Sequence, residues 1–133
     1  LELKLVPMHS ENSFESGREI ARRLKSDHPF VTAVISTLDV ATVGIVESSA
    51  EFGIRIPQDL SVIGLNILET QAEASSPKIS TVNYQAYDLA KSCGRMIVEV
   101  IEGGKDDKKF RSELWVGDYV ERDSVSKAKK RNA

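Results

Sequence analysis

Short apolar runs alternate along the chain with longer segments of helical periodicity. The runs at residues 32–35 and 60–65 are rich in β-branched residues, which favour strands. Between them, residues 39–52 have the length and apolar content of a helix, which Asp39 can cap at its start and Gly53 can end. This order predicts a βαβ unit with two neighbouring parallel strands and a right-handed crossover.

A further helix is predicted before this unit. Asn12 and Glu15 have the three-residue spacing of a capping box, so we expect the helix to begin there. Pro29 disfavours helical geometry at His28, so we expect the helix to end before it. The predicted inward stripe of this helix is Phe14, Gly17, Ala21 and Leu24. That of the central helix is Val40, Val43, Val46 and Ala50, with Glu47 and Glu51 facing away.

The remaining segments continue the alternation as far as residue 102. The predicted elements are an opening strand at 3–8, a loop with about one helical turn at 69–76, a strand at 79–82 and a helix at 86–102. Residues 110–120 differ, and there we expect short edge strands with a bend at Gly117 and Asp118. The whole pattern predicts an α/β fold with a mostly parallel sheet flanked by helices.

Composition and charge narrow the function classes. The 133 residues, 41% hydrophobic and 29% charged, are typical of one soluble globular domain. No apolar run is long enough for a membrane helix, and no basic-then-apolar leader opens the chain. The net charge of -2 argues against a general nucleic-acid surface, and the basic segment 127–131 is best interpreted as a solvated, disordered end. Because Leu1 lies inside an apparent strand, we expect the chain to be a piece of a longer protein.

The single cysteine, Cys93, excludes an internal disulfide framework and a multi-cysteine metal site. It falls on the apolar face of the helix predicted at 86–102. We therefore interpret it as a small core residue.

Polar residues follow the predicted strands at their carboxyl ends. His9, Asp39 and Asn66 could line one mouth of the sheet and bind a polar, hydroxyl-rich ligand. The simpler interpretation is that Asp39 only caps its helix, Asn66 only holds a turn and His9 is solvated. The sequence has no nucleophile elbow, phosphate loop or zinc-binding histidine pair, so no enzyme mechanism is indicated.

Four stretches in the same order resemble a known family. They are FVTAVI at 30–35 followed by Asp39 and Gly44, EFGIRIPQDLSVIG at 51–64, PKISTV at 77–82 and VERDS at 120–124. The chain resembles the C-terminal part of a LacI/GalR-family transcriptional regulator, in the effector-binding domain related to periplasmic sugar-binding proteins.

The resemblance implies a fold and an organisation. It implies the C-terminal lobe of a type I periplasmic-binding-protein-like domain over residues 1–126, with a lobe core at 1–82, a crossover helix and terminal strands at 83–126, and a basic tail at 127–133. It also implies a cytoplasmic homodimer without cofactor, enzymatic activity or membrane contact, which senses a sugar or nucleobase effector. Operator DNA would be bound only through a head that this chain lacks.

The ligand-binding residues implied by the resemblance are His9, Asn12, Thr37, Leu38, Asp39 and Asn66. Two of them depart from the family pattern. Leu38 stands where many members have asparagine, and Asn66 stands where they have aspartate, so a carboxylate becomes a more weakly accepting amide. These departures argue against a simple hexose and leave a different ligand, or none, as the alternatives.

Two further alternatives concern the helix at 86–102 and the function as a whole. In the parent fold this helix packs on the other lobe, so here we expect it to fold back on its own sheet or to exchange with a second copy. The second function considered is a solute-binding protein of a sugar transporter. An enzyme is the third, and it would need a partner that supplies acid and base groups.

Overall fold

Strands and helices alternate along the chain as the sequence pattern predicts. The structure, a computed structural model, describes residues 11–103 and 112–127. Its elements are α1 (Phe14–Asp27), β1 (Ala33–Ser36), α2 (Asp39–Ser48), a 3-10 turn (Ser49–Phe52), β2 (Ser61–Leu65), α3 (Glu69–Ala74), β3 (Ser80–Asn83), α4 (Ala86–Glu102) and β4 (Asp118–Val120). The predicted opening strand, His9, the charged stretch 105–109 and most of the basic tail lie outside the described residues.

The sheet has the strand order β1-β2-β3-β4 in the described part of the chain. Strand β1 pairs with β2 in parallel, with Ser36 opposite Gly64, and β2 pairs with β3 in parallel, with Leu65 opposite Val82. This confirms the predicted βαβ unit and the α/β class with a mostly parallel sheet.

Helix α1 begins one residue later than the capping-box spacing predicts. Ser13 is the N-cap, and its hydroxyl accepts from the Ser16 amide at 3.2 Å. Asn12 is therefore free to bond elsewhere, and its role as the cap of α1 was wrong. The helix ends at Asp27, before Pro29, as predicted. The residues of the predicted stripe that are buried are Gly17, Ala21 and Leu24, whereas Phe14 is 41% exposed.

Helix α2 is buried on most of its surface because it lies between α1 and the sheet. The prediction of a single inward stripe was therefore too narrow, and Ala50 is exposed. The buried residues of α2 are Ala41, Thr42, Gly44, Ile45, Val46 and Ser48. Gly53 has the left-handed φ of 68° that ends the following 3-10 turn, as predicted. Glu47 and Glu51 face solvent, also as predicted.

The segment after β4 is hydrogen-bonded to β2 and β3 near the amino ends of these strands. The fully buried Ser124 hydroxyl donates to the Val62 carbonyl at 2.6 Å and accepts from the Ser80 amide at 2.8 Å. The Arg122 side chain, only 7% exposed, donates through Nη1 to the Ile79 carbonyl and to Thr81 Oγ1, both at 3.0 Å. Arg122 and Ser124 therefore join the segment after β4 to the sheet.

Residues Asn83–Asp118 form a compact unit of their own. Their helix, α4, has the predicted bounds but no buried residue. Cys93 is exposed, so its interpretation as a core residue was wrong. Helical periodicity identifies an apolar face but does not show whether anything in the chain covers it. The alternatives of fold-back or exchange of this helix stay predictions.

The predicted edge strands near the end of the chain are only partly present. Residues 112–117 have no regular structure, and Asp118 begins β4 instead of forming a bend. The Gln85 side chain donates to Asp118 Oδ2 at 2.5 Å, and Glu113 Oε2 accepts from the Ser92 hydroxyl at 2.6 Å and from Trp115 Nε1 at 3.2 Å. Among the described helices, none is long and apolar enough to span a membrane.

Candidate ligand-binding rim

Two neighbouring parallel strands end at the same edge of the sheet and are followed by the predicted ligand-binding residues. Strand β1 ends at Ser36, which lies opposite Gly64 of β2. The segment 37–39 follows β1, and Asn66 follows β2. Ligands of open α/β sheets bind beyond such carboxyl ends. We call Asn12, Thr37, Leu38, Asp39 and Asn66 the rim.

Asn12 reaches the rim from the turn before α1. Its Oδ1 accepts from the Val40 amide at 3.1 Å and from the Ala41 amide at 3.2 Å. Its Nδ2 donates to Asp39 Oδ1. Because Leu38, the N-cap of α2, has no capping side chain, Asn12 caps α2 from another part of the chain. The apolar residue at the cap position is the one sequence signal for this arrangement, and the predicted capping box overlooked it.

Asp39 is half-buried and held from two sides. Besides the bond from Asn12, its Oδ1 accepts from the Val40 amide at 2.9 Å. The bond from the Asn12 amide, with a smaller contribution from the Val40 N–H, lowers the pKa of this carboxyl below its ordinary value. The carboxylate is therefore charged at neutral pH. Within the described ranges no protein hydrogen bond reaches Oδ2, so this oxygen remains as an acceptor.

Asn66 both shapes its turn and presents a side chain. Its φ of 59° is left-handed, which asparagine tolerates better than most residues. Its backbone N–H donates to the Val82 carbonyl at 3.0 Å, and the residue is exposed. The backbone of Asn66 therefore forms a turn, as one of the two sequence interpretations has it. Its side chain lies exposed at the rim.

The other predicted residues differ in exposure. Thr37 is exposed and Leu38 is half-buried. The Leu38 carbonyl accepts from the Thr42 amide at 2.9 Å and from its hydroxyl at 2.6 Å, which strengthens the start of α2. His9 lies outside the described residues, so the structure does not place it with the others.

The chemistry of the rim is that of a polar acceptor site. It combines a carboxylate oxygen, an amide and a hydroxyl, and neither residues 31–50 nor residues 60–77 contain a lysine or arginine. In the part of the chain that the structure describes, no group of three or more histidine, cysteine, aspartate or glutamate side chains could hold a metal ion. The rim therefore suits ligand groups that donate hydrogen bonds and disfavours anions.

Comparison with protein families gives a match over nearly the whole chain. Residues 3–125 match the periplasmic binding protein-like domain. The chain belongs to this family. It is 30% identical, over 117 residues, to the HTH-type transcriptional repressor PurR of Vibrio vulnificus. The matched region covers 84% of this chain and 35% of that protein. The chain thus spans about a third of the length of this curated relative.

Solved structures of other family members have the same fold. A LacI family transcriptional regulator from Bifidobacterium animalis subsp. lactis matches with a TM-score of 0.77 and 25% identity, over 92% of this chain and 44% of that one. The transcriptional regulator CelR in complex with cellobiose matches with a TM-score of 0.74 and 24% identity, over 84% of this chain and 33% of that one. The resemblance to LacI/GalR-family regulators is therefore confirmed.

Proposed function

We propose that this chain is the effector-binding part of a LacI/GalR-type transcriptional regulator, and that the rim contacts a small neutral effector such as a sugar or nucleobase. The observation that carries the proposal is the pair Asp39 and Asn66, placed at the same edge of two parallel strands in a chain of this family. Thr37 and Leu38 complete the proposed contact surface, and His9 belongs to it by sequence position.

The names of the relatives support a regulator rather than an enzyme. The matched repressor and the CelR complex are both regulators, and the latter holds cellobiose. Effector binding changes how the two lobes of each subunit are arranged, in a homodimer in the cytoplasm. Operator DNA is bound only through a head outside this chain. Residues 1–126 form the sensing part and 127–133 a basic tail.

The second candidate is a solute-binding protein of a sugar transporter, because the family is named for periplasmic binding proteins. The two functions differ in the segment that precedes the domain in the whole protein. A helix-turn-helix there supports the regulator, whereas an export signal supports the transporter component.

A thermal-shift experiment tests the proposed effector class. The chain is heated with ribose, cellobiose, lactose or adenine, each at a saturating concentration. A probe present at one hundred times its Kd raises the stability of the folded state by about 2.7 kcal/mol. We expect at least one probe to raise the Tm of the wild type and to have little effect on Asp39→Asn.

The matched control for this experiment is Asp27→Asn. It makes the same chemical change at the last residue of α1, away from the rim. There the carboxylate is half exposed and pairs with Arg23. The control variant should respond to the probe like the wild type. If a probe raises the Tm of Asp39→Asn as much as that of the wild type, the rim is not its binding site.

A further inference from the structure

We propose that Asn12 is a positioning residue that closes the N-terminus of α2 and orients the Asp39 carboxylate, so that the rim accepts neutral hydroxyl-bearing ligands and excludes phosphorylated ones. The inference rests on the proposed function and deepens it, because it assigns a ligand class to the same site.

The backbone amides at the start of α2 already have acceptors within the protein. The first N–H groups of a helix lack partners within the helix and commonly bind phosphate or other anions. Here the Val40 and Ala41 amides both donate to Asn12 Oδ1, and the Val40 amide also donates to Asp39 Oδ1. These donors are already occupied by the protein's own side chains. A phosphate would have to displace Asn12 to reach them.

The Asp39 carboxylate is oriented by two hydrogen bonds to one of its oxygens. The Asn12 Nδ2 and the Val40 N–H both donate to the same oxygen, Oδ1. This leaves Oδ2 to accept from a ligand hydroxyl. The same bonds favour the charged carboxylate and lower the pKa of Asp39. A fixed negative charge repels a phosphate, and the loops that follow β1 and β2 supply no lysine or arginine to offset it.

Asparagine at position 12 supplies both an acceptor and a donor to this contact. The contact joins parts of the chain that are 27 to 29 residues apart, and it uses an acceptor and a donor of one planar amide. An aspartate at this position keeps acceptors for the Val40 and Ala41 amides, but it loses the donor and places a second carboxylate beside Asp39. An alanine loses both. The two variants therefore separate capping of α2 from positioning of Asp39.

The test is an NMR pH titration of the side-chain carboxyl carbons in the 133-residue chain. Wild type, Asn12→Asp and Asn12→Ala are compared. We expect the pKa of Asp39 to rise in both variants, and to rise more in Asn12→Asp. We expect the Tm to fall more in Asn12→Ala, which loses the cap. The Asp27 carboxyl, remote from the rim on α1, serves as the internal control and should titrate unchanged. An unchanged Asp39 pKa in both variants overturns the proposal.

Anion exclusion is tested with inorganic phosphate as the probe. In the double variant Asn12→Ala/Asp39→Ala the amides of Val40 and Ala41 are free, so phosphate should shift their NMR signals. In the wild type these signals should not move. Equal shifts in both proteins overturn the exclusion. Neither readout uses a sugar or nucleobase, so a failure of the proposed function appears separately, as absence of binding by those probes.

Discussion

Gly17 and Gly44 face each other where α1 crosses α2. A Cβ atom added to Gly44 would lie 3.1 Å from the Gly17 Cα and 2.3 Å from the Phe14 carbonyl oxygen, and one added to Gly17 would lie 2.0 Å from the Ala41 carbonyl oxygen. The two backbones therefore approach more closely than any side chain permits. This approach brings the turn before α1 against the start of α2, which is how Asn12 reaches the amides of Val40 and Ala41.

Replacement of either glycine by alanine should destabilise the fold. The added methyl group meets backbone atoms of the other helix, which cannot rotate away as a side chain can. Overpacking typically costs about 1–3 kcal/mol, and we expect Gly17→Ala and Gly44→Ala to lie at the upper end of that range. Urea denaturation monitored by circular dichroism measures the loss.

The matched control is Gly94→Ala in α4. A Cβ at Gly94 meets nothing within 4 Å, so alanine should leave stability unchanged or raise it through its higher helix propensity. A loss for Gly94→Ala equal to that for Gly17→Ala would contradict the close-packing explanation.

Ser124→Ala should loosen the attachment of the chain end to the sheet. The variant leaves the buried Ser80 amide without its acceptor and the Val62 carbonyl without its donor. Leaving a buried polar group unpaired costs about 1–3 kcal/mol, so we expect a loss in this range in denaturant unfolding. Ser126→Ala removes an exposed hydroxyl two positions on, whose 3.0 Å bond to the Pro57 carbonyl water can replace, and should cost no more than about 0.5 kcal/mol. Equal losses for the two variants would argue against the role given to Ser124.

Arg122→Lys should not preserve the function of Arg122. A lysine ammonium cannot reproduce the planar fork that bonds the Ile79 carbonyl, Thr81 and Glu73 at once. Because Arg122 is nearly buried, we expect a loss of about 2 kcal/mol in the free energy of unfolding. Arg55→Lys changes an arginine that is 72% exposed, and should cost less than about 0.5 kcal/mol. If Arg122→Lys is as mild as Arg55→Lys, the fork geometry does not matter.

The ion pairs of Glu73 predict a dependence of stability on pH. Hydrogen bonds from Lys78 and then Arg122 lower the pKa of Glu73 below its ordinary value of 4.5. A carboxyl with a lowered folded-state pKa stabilises the fold above the ordinary value, and this contribution is lost as pH falls through the lowered one. The Tm of the wild type should therefore exceed that of Glu73→Gln at pH 7, and the difference should shrink once the pH falls below 4.5 and vanish below the lowered pKa. A difference that stays constant over this range would show that the charge of Glu73 is not responsible.

The parts of the fold that could be predicted from sequence are those fixed by local signals. The bounds of α4, the end of α1 before Pro29 and the left-handed Gly53 follow from periodicity and from single residues. The parallel pairing of β1 and β2 follows from the chirality and length of their connection.

The predictions that were wrong depend on tertiary contacts. Asn12 and Ser13 can each cap a helix, and only the crossing of α1 over α2 decides that Ser13 caps α1 while Asn12 caps α2. Ala50 and Cys93 lie on apolar faces by periodicity, but burial depends on what covers each face, which a local pattern does not contain. At the rim, the sequence predicted that Asp39 and Asn66 follow neighbouring strands at one edge of the sheet, but not the bond that orients Asp39.

The most direct test of the account is to map binding on the chain by NMR. Amide signals of the 133-residue chain are recorded while ribose, cellobiose, lactose and adenine are added in turn, and the titration is repeated with Asp39→Asn. We predict that at least one probe shifts the signals of residues 37–40 and 64–68, and that these shifts are lost in the variant. No shift with any probe, or shifts outside these residues that persist in Asp39→Asn, would contradict the claim that this rim binds the effector.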